Sequence, residues 1–184
     1  MKAFDFFYDI LKGETKDYHN MSTDEHLYLT VFLEKNILSN NFFKEEDNKL
    51  VKPTLAFLLK DAIDEENERS RLTKFKHLGD CALYTIGVFP LSLQRSLVGV
   101  DYFQEMGSRA YYQAYQLNQD PVFKKMAHNF VNLTDLLNLS MALKIKPLSP
   151  GDMFHMWSIT QSQGLKNKLI ESGINPQTFN KLLL

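Results

Sequence analysis

Leu72-Thr73-Lys74-Phe75-Lys76-His77-Leu78-Gly79-Asp80-Cys81-Ala82-Leu83-Tyr84-Thr85-Ile86-Gly87-Val88-Phe89-Pro90 is the stretch that decides the fold. Leu72, Phe75, Gly79, Ala82, Leu83 and Ile86 recur mostly at steps of three and four, the spacing of one helix face. Cys81, Tyr84 and Val88 make the opposite side apolar too. A helix that is apolar around most of its girth belongs at the centre of a bundle. Pro90, which has no backbone donor, closes it.

The same period continues on both sides, and no alternating strand pair stands out. Phe4, Phe7, Tyr8 and Leu11 share one face of a short first helix ending near Gly13. Ser22 or Thr23 caps a second helix, with Asp24 and Glu25 in its first turn and a stop in Ser39-Asn40-Asn41. Leu29, Phe32, Leu33 and Ile37 form one apolar arc on it, beside Leu27, Val31 and Leu38. Lys44 to Lys49 reads as a charged loop, and Pro53 opens a third helix running to about Arg69, with Leu55, Leu58, Leu59, Ala62 and Ile63 inward.

Beyond Pro90, a short helical turn and connector lead to Val100, and Asp101 caps a helix to about Leu117. Asp120-Pro121 is the clearest start signal, a cap followed by proline at the first helical position. It opens a single long helix through Lys144 with Phe123, Met126, Ala127, Phe130, Leu133, Leu137 and Met141 as its stripe. Ser149-Pro150 starts another helix, Gly173 stops the segment after it, and Asn175-Pro176 begins a last turn. The expected fold is all-α: one mixed, orthogonal bundle of seven to nine helices over 1–184, with room for a looser C-terminal segment at 149–184.

Composition narrows the functional classes. The 184 residues are 44% hydrophobic, which excludes a disordered chain, and the single Cys81 excludes a disulfide framework or a multi-thiolate metal site. Asp5 and Asp9 interrupt the apolar start, so it does not read as a signal peptide, and no stretch is long enough to span a bilayer. The expectation is a cytoplasmic protein. A net charge of −1 argues against a nucleic-acid binder. The charge is uneven: 16 acids and 12 bases in the first 92 residues, 6 acids and 9 bases in the rest. Glu65, Glu66 and Glu68 lie in the most acidic stretch, which reads either as a solvated face or as a patch for a basic partner.

Two stripes of small residues suggest a close helix crossing: Gly79, Ala82 and Gly87 on one helix, Gly107, Ala110 and Ala114 on another. The alternative is room for a ligand between them. Asp80 is the lone charge between Leu78 and Phe89, and a carboxylate in such surroundings must be paired, hydrogen-bonded or protonated. His77, Cys81 and Tyr84 lie within one turn of it, and Arg109, Arg95, His77 or a tyrosine are its candidate donors. His77, Asp80, Cys81, Tyr84 and Arg109 are therefore candidate ligand-binding residues, set against a plain structural role for Asp80. A mid-helix cysteine among apolar neighbours suits packing better than nucleophilic catalysis. The five histidines show no metal-binding spacing, and no phosphate loop or nucleophile elbow occurs, so neither metal nor cofactor is implied. Tyr102, Tyr111, Tyr112 and Tyr115 crowd one helix, and three of them so close together cannot all point inward; they are candidates for a partner surface.

Leu78-Gly79-Asp80, Gly87-x-Phe89-Pro90, Val100-Asp101-Tyr102-Phe103 and Met106-Gly107-x-x-Ala110-Tyr111 together resemble a family of uncharacterised bacterial all-helical proteins. The likeness covers about residues 72–116. It implies that the Asp80 and Gly107 helices form one structural centre, and it brings no catalytic residue with it. The leading expectation is a non-enzymatic binding or regulatory module with a protein partner. A bundle binding a small apolar or aromatic ligand, anchored by Asp80, His77 and Tyr84, comes second. An enzyme using the same residues comes third.

Overall fold

A computed structural model describes residues 2–14, 21–37, 42, 44–46, 49–51 and 54–176. Nine α-helices occur among them, and the fold is all-α. α1 (Ala3–Glu14) and α2 (Thr23–Asn36) pack as a pair, α3 (Leu55–Ile63) lies on α4 (Glu68–Gly87), and α4 makes its widest contact with α5 (Val100–Asn118). α6 (Pro121–His128) packs on α5, and α7 (Phe130–Ser140) runs against α4 and α1. A π-helical turn, Met141–Ile145, leads to α8 (Pro150–Thr160) and α9 (Gln163–Glu171). The only non-helical pairing among the described residues is a ribbon of β1 (Lys44–Glu46) and β2 (Lys49–Val51), antiparallel, where the sequence suggests a charged loop.

α4 is the central helix, with every residue from Leu78 to Gly87 buried. It belongs to a main core drawn from α1 to α7. Leu139, Ala142, Met153, Met156, Trp157, Leu165 and Leu169 form a second, smaller core beneath α8 and α9. The small residues are filled by side chains. A Cβ on Gly79 would lie 2.8 Å from the Tyr111 ring, one on Gly87 2.7 Å from Leu137, and one on Gly107 2.2 Å from the Phe130 ring. Gly79 therefore seats an α5 ring on α4, while Gly87 and Gly107 both receive side chains from α7. The space that a ligand would need between the two stripes is occupied.

One expected helix stops early, short of Arg69, and another is divided. The third ends at Ile63, and Asn67 restarts the chain by accepting from the Ser70 N–H at 3.0 Å. Consecutive acids at Asp64-Glu65-Glu66 meet the negative end of the α3 dipole, and an asparagine with a free cap position competes well with continued helix there. Ile63, expected inward, is 61% exposed. The long helix after Pro121 breaks at Asn129 (φ −96°, ψ 11°), whose side-chain amide donates to Glu25 Oε1 at 2.6 Å. Starts are read better than continuities: Ser22, Asp120 and Ser149 all cap as expected, and Gly173 (φ 81°) follows the end of α9, while the last turn expected after Pro176 lies outside the described residues. Asp101 does not cap; Gly99 occupies that position and Asp101 sits in the first turn. On α2 the arc of Leu29, Phe32 and Leu33 is buried, whereas Leu27 is exposed, and Leu38, the Ser39–Asn41 stop and Pro53 lie outside the described residues.

Candidate functional site

Asp80 is 7% exposed and is bonded on three sides. Tyr28 Oη donates to its Oδ1 at 2.6 Å, Tyr111 Oη to the same oxygen at 2.7 Å, and Lys76 Nζ to Oδ2 at 2.6 Å. α2, α4 and α5 thus meet at one carboxylate. The helical spacing places Lys76 one turn before Asp80, while Tyr111 arrives because Gly79 leaves space for its ring. Burial, then the Asp80 charge, pushes both phenols well above the ordinary tyrosine range, so both remain protonated donors. Lys76 Nζ also stands 5.1 Å above the centre of the Tyr28 ring.

This node forms part of the wall of a cleft of about 370 Å³ between α2, α4 and α6. Leu27, Val31, Phe32 and Val122 supply its apolar surface, and Asp24, Lys35, Lys76 and Asp80 its charges. At the rim Asp24 pairs with Lys125 at 2.9 Å. The cleft opens to solvent along α2, and Lys76 is the half-exposed group between water and the buried carboxylate.

The other candidate ligand residues do not join Asp80. His77 Nε2 lies 3.5 Å from Cys81 Sγ, and its ring stacks on Phe42 with centroids 5.9 Å apart. Cys81 is buried, which suits packing and leaves a nucleophile without access. Tyr84 packs among Phe32, Phe42 and Phe89, and burial raises its phenol. Arg109 is exposed and pairs with Glu105 at 2.6 Å, one turn earlier on α5, so it is not the donor to Asp80. The Arg95 side chain lies outside the described residues. Of the four donors considered, the tyrosines meet Asp80, joined by Lys76, which sequence reading passed over.

The expected partner surfaces divide in the same way. Tyr111 is fully buried and cannot present an interface, a correction that follows from its seat on Gly79. Tyr112 is 48% exposed, Tyr115 is half-buried beneath Lys124, whose Nζ is 5.5 Å from its ring, and Tyr102 is half-buried against Phe103. Glu65 is engaged within the chain: hydrogen bonds from Lys74, then Ser70 and the Asn67 N–H, hold its carboxyl down at about 2. Glu66 is exposed, and Glu68 approaches Arg71 at 3.9 Å.

Three features escaped sequence reading. Glu25 is completely buried, accepting from Ser22 N–H and Oγ, each at 2.8 Å, and from Asn129; the Ser22-x-x-Glu25 capping box was its available signal. Asn138 of α7 donates to the carbonyls of Ile86 and Gly87 at 2.7 and 2.8 Å, satisfying the end of α4. The third is a shoulder at the corner between α4 and α5. Phe89, Leu91, Leu97 and Val98 account for four of the ten exposed large apolar side chains among the described residues, and Leu97 is fully exposed. A 3₁₀ turn, Pro90–Arg95, carries Leu91, with Phe89 just before it and Leu97 and Val98 just after, and is anchored by buried Leu93 and by a contact between Gln94 and His155 of α8. Beside the shoulder lies an apolar cleft of about 140 Å³ lined by Phe89, Pro90, Leu91, Met141, Leu148 and Met156, among others.

Set against protein-family models, curated proteins and solved structures, the chain matches none. No group of three or more metal-ligating side chains occurs among the described residues, and no helix there is long and apolar enough to cross a membrane.

Proposed function

We propose that the protein is a non-enzymatic binding module that engages a protein partner through the Phe89–Val98 shoulder and the apolar cleft beside it. The observation that carries this reading is the concentration of exposed apolar side chains in one ten-residue corner. Single exposed hydrophobics are ordinary on any surface, whereas four within ten residues, two of them (Phe89 and Leu91) lining a cleft, suit an interaction site. The cleft is sized for one large side chain, the way interface anchors are received, and the shoulder supplies the apolar ground around it. The tyrosine helix and the acidic stretch support this role less well, because Tyr111 is interior and Glu65 is bonded within its own chain.

Leu91→Asp with Leu97→Asp tests the proposal. Both side chains are exposed, so the fold is expected to keep its stability. Covering a leucine side chain stabilises by about 1.5–3 kcal/mol, so losing two contacts weakens a partner by tenfold or more. A protein that co-purifies with the full chain from its host is expected to be lost in this variant and retained by Tyr112→Ala with Tyr115→Ala. The opposite pattern moves the interface to α5 and refutes the proposal.

A further inference from the structure

We propose that the cleft between α2, α4 and α6 binds a primary organic ammonium carrying a short apolar chain, with Asp80 as its anchor and Lys76 as its built-in competitor. This goes beyond the protein-partner reading and rests on a different face of the molecule. The two tyrosine hydroxyls occupy Oδ1 of Asp80, leaving Oδ2 turned to a cation. That oxygen already holds an ammonium group at 2.6 Å, which also lies 5.1 Å over the Tyr28 ring. A buried carboxylate oxygen beside an aromatic face is what a primary amine requires: a charge-assisted hydrogen bond and a π surface.

Lys76 holds this place weakly. Its side chain is 43% exposed, and it precedes Asp80 at i,i+4, the less favourable order on a helix. An ammonium of that kind returns to water at little cost. Next to it, Leu27, Val31, Phe32 and Val122 provide an apolar bed for the ligand's chain in a volume of about 370 Å³. Of the cleft's charges, Lys76 is neutralised by Asp80 and Asp24 by Lys125, so the node at Asp80 offers an anion no unopposed cation.

The full chain, as wild type, Lys76→Ala, and Lys76→Ala with Asp80→Asn, is titrated with n-butylammonium chloride against a matched sodium chloride series, with n-butanol as the neutral control. Methyl NMR shifts of Leu27, Val31 and Val122 report the site and the affinity. Removing the competitor frees a charge-assisted bond, so the amine is expected to bind Lys76→Ala about tenfold or more tighter than wild type. Binding is expected to vanish with Asp80→Asn, and n-butanol is expected not to bind. If the double variant fails to fold, Val31→Trp in the Lys76→Ala background fills the cleft from its rim and must abolish binding. Equal affinity for wild type and Lys76→Ala, binding by n-butanol, binding that survives Asp80→Asn or Val31→Trp, or no binding to any variant overturns the proposal.

Discussion

Replacing Asp80 by alanine removes the acceptor on which three helices meet. Tyr111 Oη, wholly enclosed, then loses its carboxylate acceptor and keeps only the neighbouring Tyr28 hydroxyl, and a buried hydroxyl that loses its acceptor costs about 1–3 kcal/mol. Tyr28 loses its bond as well, but the cleft gives its hydroxyl a route to water, so its share is smaller. Lys76 is half-exposed and regains hydration, contributing about 0–1 kcal/mol. The loss is therefore expected to total about 2–4 kcal/mol, a fall in Tm of about 5–15 °C for a chain of this size. Asp80→Asn keeps a carbonyl oxygen for both phenols and presents an amide to Lys76, which swings outward. Its cost is expected to be about 1 kcal/mol, or a fall of about 2–4 °C. Calorimetry of the wild type and both variants checks the pair. An alanine variant that melts with the wild type, or an asparagine variant as damaged as the alanine one, refutes the tyrosine-acceptor role.

Gly107→Ala is expected to destabilise more than Gly79→Ala, by about 2–3 against about 1 kcal/mol, because overpacking outweighs the helix-propensity gain most where contact is closest. The gaps are 2.2 Å to the Phe130 ring and 2.8 Å to the Tyr111 ring, and urea melts showing the reverse order contradict the packing. Alkali is expected to unfold the protein through Tyr28 and Tyr111, whose phenols titrate higher in the fold than in the unfolded chain. Below about pH 10 both states keep these protons and stability is complete; above it the unfolded chain releases them first, and stability falls by about 2.7 kcal/mol per pH unit for the pair. Urea melts from pH 9 to 12 check this, and Tyr28→Phe with Tyr111→Phe is expected to flatten the slope.

The all-α class and the central place of α4 were legible because its run from Leu78 to Gly87 is apolar on all sides, leaving Asp80 as the one exception there to explain. Its burial and its tyrosine donors follow from local spacing plus the rule that buried charges are bonded. Which tyrosines, and that a half-exposed lysine completes the set, depended on how α2 and α5 cross α4, which no one-dimensional pattern carries. Asp80→Ala strands no buried cation, so its cost stays below that of breaking a buried ion pair. The break at Asn129 was hidden because apolar spacing continues across it, while the deciding bond is polar and comes from a residue more than a hundred positions away. The early stop of α3 falls in the all-polar run 64–71, where no apolar spacing marks the boundary and the Asn67 cap decides it. The shoulder escaped notice because the chain after Pro90 reads as a short turn and connector, and local spacing does not show that the neighbouring helices leave Phe89, Leu91, Leu97 and Val98 uncovered.

Hydrogen–deuterium exchange of the full chain, alone and with the partner that co-purifies with it, tests the functional proposal most directly. The expected result is slowed exchange over 88–98 and over 141–156, the segments forming the shoulder and the apolar cleft, with Tyr112 and Glu66 unaffected. Slowed exchange confined to the exposed face of α5 or to 65–68, with 88–98 unchanged, contradicts it.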